Sequence, residues 1–222
     1  MQYLFHKNSG VASLTLEGDA HRYIFKVRRH REGETIALRN LEDEQIYLYT
    51  ITTLSKKEAE LTLEKSEILS VKAKRDLHIA WCVIDPKSVE KVLPTLNEMG
   101  VDKITFIYCE RSQKSFKPDF KRLEKILLNS SQQSGRSSLM RLYMAKDLHS
   151  FLEKNKDVVM LNFSEQTLVE GSNIETFVVG CEGGFTADEV AMFEVKNIVG
   201  LDTSLILKSE SAVCAITSKL LL

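Results

Sequence analysis

An α/β fold is what this sequence predicts for its larger part, with a mostly parallel sheet covered on both faces, and a small β-barrel is predicted ahead of it. Three observations carry that expectation. Before Ser70, short runs alternate in polarity with period two. From Leu77 onward, apolar runs of strand length alternate with amphipathic stretches of helical length. Between Thr176 and Glu189, the β-branched and aromatic run T-F-V-V gives way to three glycines within five positions, Gly180, Gly183 and Gly184, and then to a helix start.

In chain order, strands are expected at 13–16, 34–39, 44–53 and 58–65, where sequences such as Ile46-Tyr47-Leu48-Tyr49-Thr50-Ile51 place one face inward and one outward. Arg31-Glu32-Gly33-Glu34 and Asn40-Leu41-Glu42-Asp43 read as turns, and 19–25 as a short helix. Several short strands in so little chain imply a barrel, which sets a first domain at 1–69. Residues 70–76, with Lys72, Lys74 and Arg75, form a polar hinge, and a second domain follows at 70–222. Its expected strands are 77–84, 103–109, 139–144, 158–163, 174–179 and 197–199. Its expected helices are 87–99, 119–133, 147–155, 186–195 and a last one from Ser209. Gly100 is a helix stop, and Thr186 with Glu189 three residues later is a capping box.

Composition excludes several classes. A hydrophobic content of 43% with 27% charged residues is that of an ordinary globular protein, without the apolar runs that span a bilayer or lead an exported chain. The four cysteines, Cys82, Cys109, Cys181 and Cys214, form no C-x-x-C pair and are expected as buried free thiols, which fits a reducing cytoplasm and no metal site. The net charge of −1 gives no global sign of nucleic acid, yet two segments are locally basic. One carries Arg22, Lys26, Arg28, Arg29, Arg31 and Arg39; the other runs from Arg111 through Lys114, Lys117, Lys121, Arg122, Lys125 and Arg136 to Arg141. Either can track a phosphate backbone, and either can be a solvated face.

The glycine loop closes onto a helix N-terminus, where backbone amides are free and glycine lets a ligand approach closely. It lacks the Gly-Lys-Ser/Thr of a P-loop and the G-x-G-x-x-G of a dinucleotide site. Glu182 inside the loop opposes a polyanion, which leaves adenosyl-type ligands without phosphates, such as S-adenosylmethionine. A glycine-rich turn that binds nothing is the plain alternative.

At this point the chain resembles a known family. Gly180-Cys181-Glu182-Gly183-Gly184-Phe185-Thr186 with Glu189, and Ile206-Leu207-Lys208-Ser209-Glu210-Ser211-Ala212, are similar to the G-P-E-G-G-F-T and I-L-R-x-E-T-A motifs of the RsmE-type small-subunit rRNA uridine N3-methyltransferases of the SPOUT superfamily. Glu98-Met99-Gly100-Val101, Glu110-Arg111-Ser112 and Gln132-Gln133-Ser134-Gly135-Arg136 match further motifs in order. Ahead of them, His21, Val27-Arg28-Arg29 and Gly33-Glu34 do the same. The departures are Cys181 for proline, Lys208 for arginine, Ser211 for threonine, Met140 for proline and Thr95 for lysine, with Leu201-Asp202-Thr203-Ser204 in place of a leucine-glycine.

The resemblance implies a PUA-like β-barrel followed by a SPOUT domain with a deep trefoil knot, working as a cytoplasmic homodimer on 16S rRNA in the small ribosomal subunit. It implies S-adenosylmethionine bound by Leu161 and Asn162, by Gly180, Cys181, Glu182, Gly183 and Gly184, and by Leu201, Ile206, Leu207 and Lys208. Arg136 and then Arg111 are the candidate catalytic cations that would favour the deprotonated uracil. Both, with Arg22, Arg28 and Arg29, are candidate RNA contacts. Plainer roles stay open: Arg136 as a helix cap, Arg111 as a partner of Glu110, Trp81 and His78 as core residues. So do two other functions, a SPOUT methyltransferase acting on another RNA and a catalytically silent protein of ribosome assembly.

Overall fold

The computed structural model describes Met1–Leu222 as two compact units, Met1–Lys72 with Leu128–Leu139, and Ala73–Leu127 with Met140–Leu222. The first holds a five-stranded sheet in the order β1-β3-β4-β5-β2, built from β1 (Leu4–Phe5), β2 (Ser13–Glu17), β3 (Thr35–Arg39), β4 (Gln45–Leu54) and β5 (Glu58–Ile68). β1 pairs with β3 in parallel and the other neighbours are antiparallel. Register shifts at Leu48/Tyr49 and Ile51/Thr53 bend β4 against β5, as bulges do. The sheet keeps two edges, β1 and β2, so the expected small barrel is an open sheet. Its inward residues Leu14, Leu16, Ile36, Leu38, Tyr49, Ile51 and Leu61 form one core, as the period-two pattern requires.

The expected helix in this unit is α1 (Gly18–His21) running into a π-helical turn, Arg22–Val27. Arg39 is fully buried and donates to the carbonyls of Glu44, Gln45 and Leu69, tying the far end of β5 back to β3. Residues 128–139 complete the unit. The Gln132 carbonyl and side chain accept from the amides of Tyr3 (3.1 Å) and Phe5 (2.7 Å), and Ser137 exchanges hydrogen bonds with Val71.

The second unit is a six-stranded parallel sheet in the order β11-β9-β10-β6-β7-β8. Its strands are β6 (His78–Cys82), β7 (Lys103–Ile107), β8 (Arg141–Ala145), β9 (Val158–Leu161), β10 (Thr176–Val179) and β11 (Ile198–Val199), with helices α2 (Pro86–Met99), α3 (Phe120–Ser134), α4 (Leu148–Lys154), α5 (Ala187–Ala191) and α6 (Ser209–Leu221). From Leu128 onward α3 belongs to the first unit. The central strand β6 is buried at every position, as a strand covered on both faces must be.

Helix ends follow their local signals. Asp85 and Asp147 accept from the amides of Ser88 and Ser150, and Gly100 ends α2 at φ +99° in the left-handed region. The capping box of Thr186 and Glu189 is present, but α5 stops at Ala191, short of the expected 195.

Two expectations fail on packing. Cys82 and Cys109 are not free thiols: adjacent strands bring their Cα atoms to 5.8 Å and the sulfurs are bonded, leaving only Cys181 and Cys214 free. Spacing along the chain cannot reveal this, because parallel neighbours are joined through a distant crossover. The apolar side of the last helix, Ala212, Val213, Ala215, Ile216 and Leu220, is expected to serve a dimer interface, but in α6 Val213, Ile216 and Leu220 lie in the unit's own core.

Candidate functional site

At the carboxyl ends of β9 and β10 the second unit opens a cavity of about 510 Å³. Its wall brings together every residue assigned above to the cofactor: Leu161, Asn162, Gly180, Cys181, Glu182, Gly183, Gly184, Leu201, Ile206, Leu207 and Lys208. Phe163, Ser164, Val179, Phe185, Gly200, Thr203, Leu205, Ser209 and Ala212 complete it, and the sequence reading did not assign these to the cofactor. The signal for them was contiguity alone, since each adjoins or falls within a segment already singled out.

The glycine loop is held on three sides. Within it, the Gly184 amide donates to the Cys181 carbonyl at 2.9 Å, with Gly184 at φ +67°, where a side chain would be strained. On the inner side, Ser209 at the start of α6 donates to the Gly180 carbonyl and accepts from Trp81 Nε1 at 2.8 Å, so the fully buried indole is linked to the loop through one hydroxyl. On the outer side, Arg111 Nη1 donates to the Gly183 carbonyl at 2.7 Å. A Cβ on Gly183 would lie 3.2 Å from that of Arg111. A side chain at 183 would make the arginine lying across it give way by a few tenths of an ångström.

The Arg111 loop has its own anchor. Glu189 is buried and its two carboxylate oxygens serve two segments: Oε1 accepts from the Glu110 amide at 2.9 Å and Oε2 from the Thr186 amide at 2.9 Å. One carboxylate thus fixes both the loop after β7 and the helix after the glycine loop. Opposite, Gly200 donates to the Gln166 carbonyl and accepts from Leu168, while Asn162 donates to Val199, binding the segment after β9 closely to β11.

The chemistry of the wall is mixed backbone and hydrocarbon. Phe163, Leu205 and Ile206 are 81%, 72% and 83% exposed, an apolar rim with no partner of its own. Among the lining side chains only Glu182 and Lys208 carry charge, which suits a flat apolar ring with a polar edge and offers no cluster of cations to a polyphosphate.

The basic candidates lie elsewhere in the chain. Arg28 lies over the Tyr23 ring, its carbon 5.0 Å from the centroid, and its Nε donates to the Tyr23 hydroxyl at 2.9 Å; Arg22 and Arg29 are exposed, Arg29 at φ 62°. Arg136 belongs to the first unit, is 6% exposed, and its carbonyl accepts from the Tyr3 hydroxyl at 2.8 Å. Burial pushes the Tyr3 phenol up to about 12 against the opposing pull of Arg39 and Arg136. Arg111 is the exposed one of the two proposed catalytic cations.

The profile of the RNA methyltransferase domain family matches residues 71–221, and that of the RNA methyltransferase PUA domain matches 16–64. The chain is 33% identical to the ribosomal RNA small subunit methyltransferase E of Helicobacter pylori strain 26695, with 98% of each chain covered, and 24% identical to that of Rickettsia conorii over 99% of this chain and 94% of the other. Among solved structures, the ribosomal RNA small subunit methyltransferase E of Neisseria gonorrhoeae bound to S-adenosyl methionine superposes with a TM-score of 0.80 at 19% identity, covering 98% of this chain and 95% of that one. A Legionella pneumophila methyltransferase in complex with its bound cofactor SAM gives 0.79 at 21% identity, covering 98% and 94%.

Proposed function

The chain belongs to the RNA methyltransferase family that includes the small-subunit rRNA methyltransferases E, and from that premise we propose that it methylates N3 of one uridine in 16S rRNA of the assembled 30S subunit. The observation that carries the reading is the cavity. Its glycine loop, its exposed apolar rim and its lack of clustered cations fit S-adenosylmethionine, an adenosine with a sulfonium, better than any nucleotide.

When bound, S-adenosylmethionine supplies the methyl group. The chain's own part is to hold and orient. Ile206, Leu207 and Leu201, which line the cavity, would hold the adenine, and the amides of 180–184 with Asn162 would meet its polar edge and the ribose. Glu182 balances the sulfonium charge. Holding uracil N3 in line with the methyl donor accounts for several orders of magnitude in rate. A guanidinium near the uracil oxygens stabilises the deprotonated base, and Arg111, fixed on Gly183, takes this role ahead of the buried Arg136.

On this reading residues 1–69 form the PUA-like RNA-binding domain, with Arg22, Arg28 and Arg29 on phosphates, and residues 70–222 the SPOUT domain. The resemblance of the glycine-loop and Ile206–Ala212 motifs to the SPOUT methyltransferases is what supports a deep trefoil knot in this domain. The protein acts in the cytoplasm as a homodimer, for which exposed Met192 and Val195 supply apolar surface.

The test is calorimetric titration with S-adenosylmethionine of the wild type and of Gly183→Trp, followed by methyl transfer to 30S particles from a strain lacking the enzyme. Saturable binding lost in the variant and 3-methyluridine in the digested 16S rRNA are expected. A wild type that neither binds the cofactor nor modifies the particles would make this a silent assembly protein and overturn the reading.

A further inference from the structure

A second cavity of about 510 Å³ lies in the same unit, lined from the first residues of β6, β7 and β8 to the end of α4. Register explains how it arises. His78, Lys103 and Arg141 are paired across three neighbouring parallel strands, and Ala80, Thr105 and Tyr143 form the next row on the same face. Neighbouring strands lie about 4.8 Å apart, so Lys103 and Arg141 stand side by side. α4 roofs the inner part, where Phe151 meets the His78 ring edge-on at 5.4 Å and His78 Nε2 is 2.8 Å from the Thr105 hydroxyl. β8 is the edge of the sheet, so the outer part is open.

The lining carries Lys103, Arg141, Lys146 and Lys154 and no carboxylate. Arg141 is also paired with Asp102, which holds its guanidinium in place. Tyr143 and Met144 are 48% and 42% exposed. The groove therefore combines a row of cations with an uncovered aromatic ring, the two elements by which proteins take single-stranded nucleic acid: charge along the backbone and a flat face for a base. Exposed edge strands often carry lysines merely to deter pairing with another chain. That purpose needs neither a cavity nor an exposed tyrosine among the lysines. Lys103 and Arg141 stand at the starts of β7 and β8 while Lys146 follows the end of β8, so the cations are not gathered on one point, which favours a chain of phosphates over a single small anion.

We propose that this groove beside β8 is a second RNA-binding surface, taking a single-stranded stretch of the substrate RNA with phosphates on Lys103, Arg141, Lys146 and Lys154 and a base stacked on Tyr143. The proposal rests on the RNA methyltransferase reading and adds a site that shares no lining residue with the cofactor cavity.

The experiment measures binding of a fluorescein-labelled 12-nucleotide oligouridylate by anisotropy over a range of salt. The proteins are the wild type, Lys146→Glu/Lys154→Glu, Tyr143→Ala, and Lys87→Glu/Lys91→Glu on the exposed side of α2 as a charge-matched control. Each lysine on a phosphate of a single strand contributes about −0.7 to the slope of log affinity against log salt. The groove double variant is expected to lose about tenfold in affinity at low salt and to flatten the slope by about 1.4, with the control at the wild-type value. Tyr143→Ala is expected to lose about fivefold or more with the slope kept, since stacking is not ionic. S-adenosylmethionine affinity, read by calorimetry on the same variants, stays at the wild-type value and so separates this proposal from the cofactor reading. Equal binding by groove and control variants, or no binding of the oligonucleotide by the wild type, would overturn the proposal. Displacement by polyglutamate as effective as by unlabelled oligouridylate would mark the groove as a protein-docking surface and overturn it as well.

Discussion

Replacing Glu189 by glutamine tests whether one buried carboxylate holds the site together. In the structure Oε1 and Oε2 each accept one backbone amide, from Glu110 and from Thr186. Glutamine keeps the shape but has one accepting oxygen, so one amide must face an NH₂ group. A hydrogen bond to a charged group contributes about 1.5–3 kcal/mol, and a buried donor left without an acceptor costs about 1–3 kcal/mol. The expected loss is therefore about 2–3 kcal/mol. In a protein of this size each kcal/mol moves the melting temperature by about 2–4 °C, so Glu189→Gln should melt about 5–10 °C lower by calorimetry.

Thr186→Ala is the comparator, because it removes the hydroxyl that accepts from the Glu189 amide and makes a 3.4 Å bond to Glu189 Oε2 while leaving both backbone amides on the carboxylate, and should cost about 1 kcal/mol. The functional consequence separates the two. The Glu110 amide positions the loop carrying Arg111, and Arg111 lies on the Gly183 carbonyl, so Glu189→Gln should also weaken S-adenosylmethionine binding about tenfold while Thr186→Ala leaves it within about twofold. A Glu189→Gln protein that melts within 1 °C or so of the wild type and binds the cofactor equally well would sink the idea that this carboxylate anchors both loops.

Three further outcomes are expected. Burial holds the His78 imidazole down at about 4, with Lys103 adding to the effect, so between about 6.5 and about 4 the unfolded chain takes up a proton that the folded one refuses. Stability therefore falls as pH drops through that window, by about 2.5 pH units times about 1.36 kcal/mol, or roughly 3 kcal/mol, and urea midpoints for His78→Gln should lack this part of the slope. Ser209→Ala leaves Trp81 Nε1 without its acceptor and the Gly180 carbonyl without its donor; it should cost about 2 kcal/mol and shift the emission of the single tryptophan, and an unchanged spectrum would contradict the link. Gly200→Ala puts a Cβ 2.7 Å from the Ser164 carbonyl oxygen, which backbone cannot relieve cheaply, and the variant should lose more than about 3 kcal/mol in denaturant unfolding or fail to accumulate as folded protein.

What the sequence reveals here is what is local. Thr186 and Gly100 mark helix ends because a cap needs only its own next few residues, and each is found in that role. β1 escaped notice because Leu4–Phe5 is too short to show a period and its partner β3 lies some thirty residues on. The Cys82–Cys109 pair and the burial of Arg136 beneath Tyr3 arise from neighbours 27 and 133 positions apart, and no local pattern encodes them. The same holds for Ser209, which looks like an ordinary helix-start residue until α6 is seen set against Trp81 and Gly180.

Two departures from the family motifs, Cys181 and Lys208, leave the main-chain frame of the cavity as it is. Cys181 turns inward: it is 6% exposed, packs in the hydrophobic core, and its Sγ lies 3.8 Å from the Gly184 carbonyl, while its own carbonyl closes the loop turn. A proline there would fix φ and fill the same space, so exchanging it for cysteine alters the loop's stiffness more than the surface a ligand meets. Lys208 stands in extended backbone just before α6 with an exposed side chain, and the Ala212 amide bonds to its carbonyl. The tightest positions are those where main chain meets main chain or a side chain crosses it: Gly180 against Gly184 and Phe185, Gly183 under Arg111, and above all Gly200, whose added Cβ would lie 2.7 Å from the Ser164 carbonyl oxygen. All three are glycine in this chain, and it is on them, rather than on residues 181 and 208, that the cavity's shape depends.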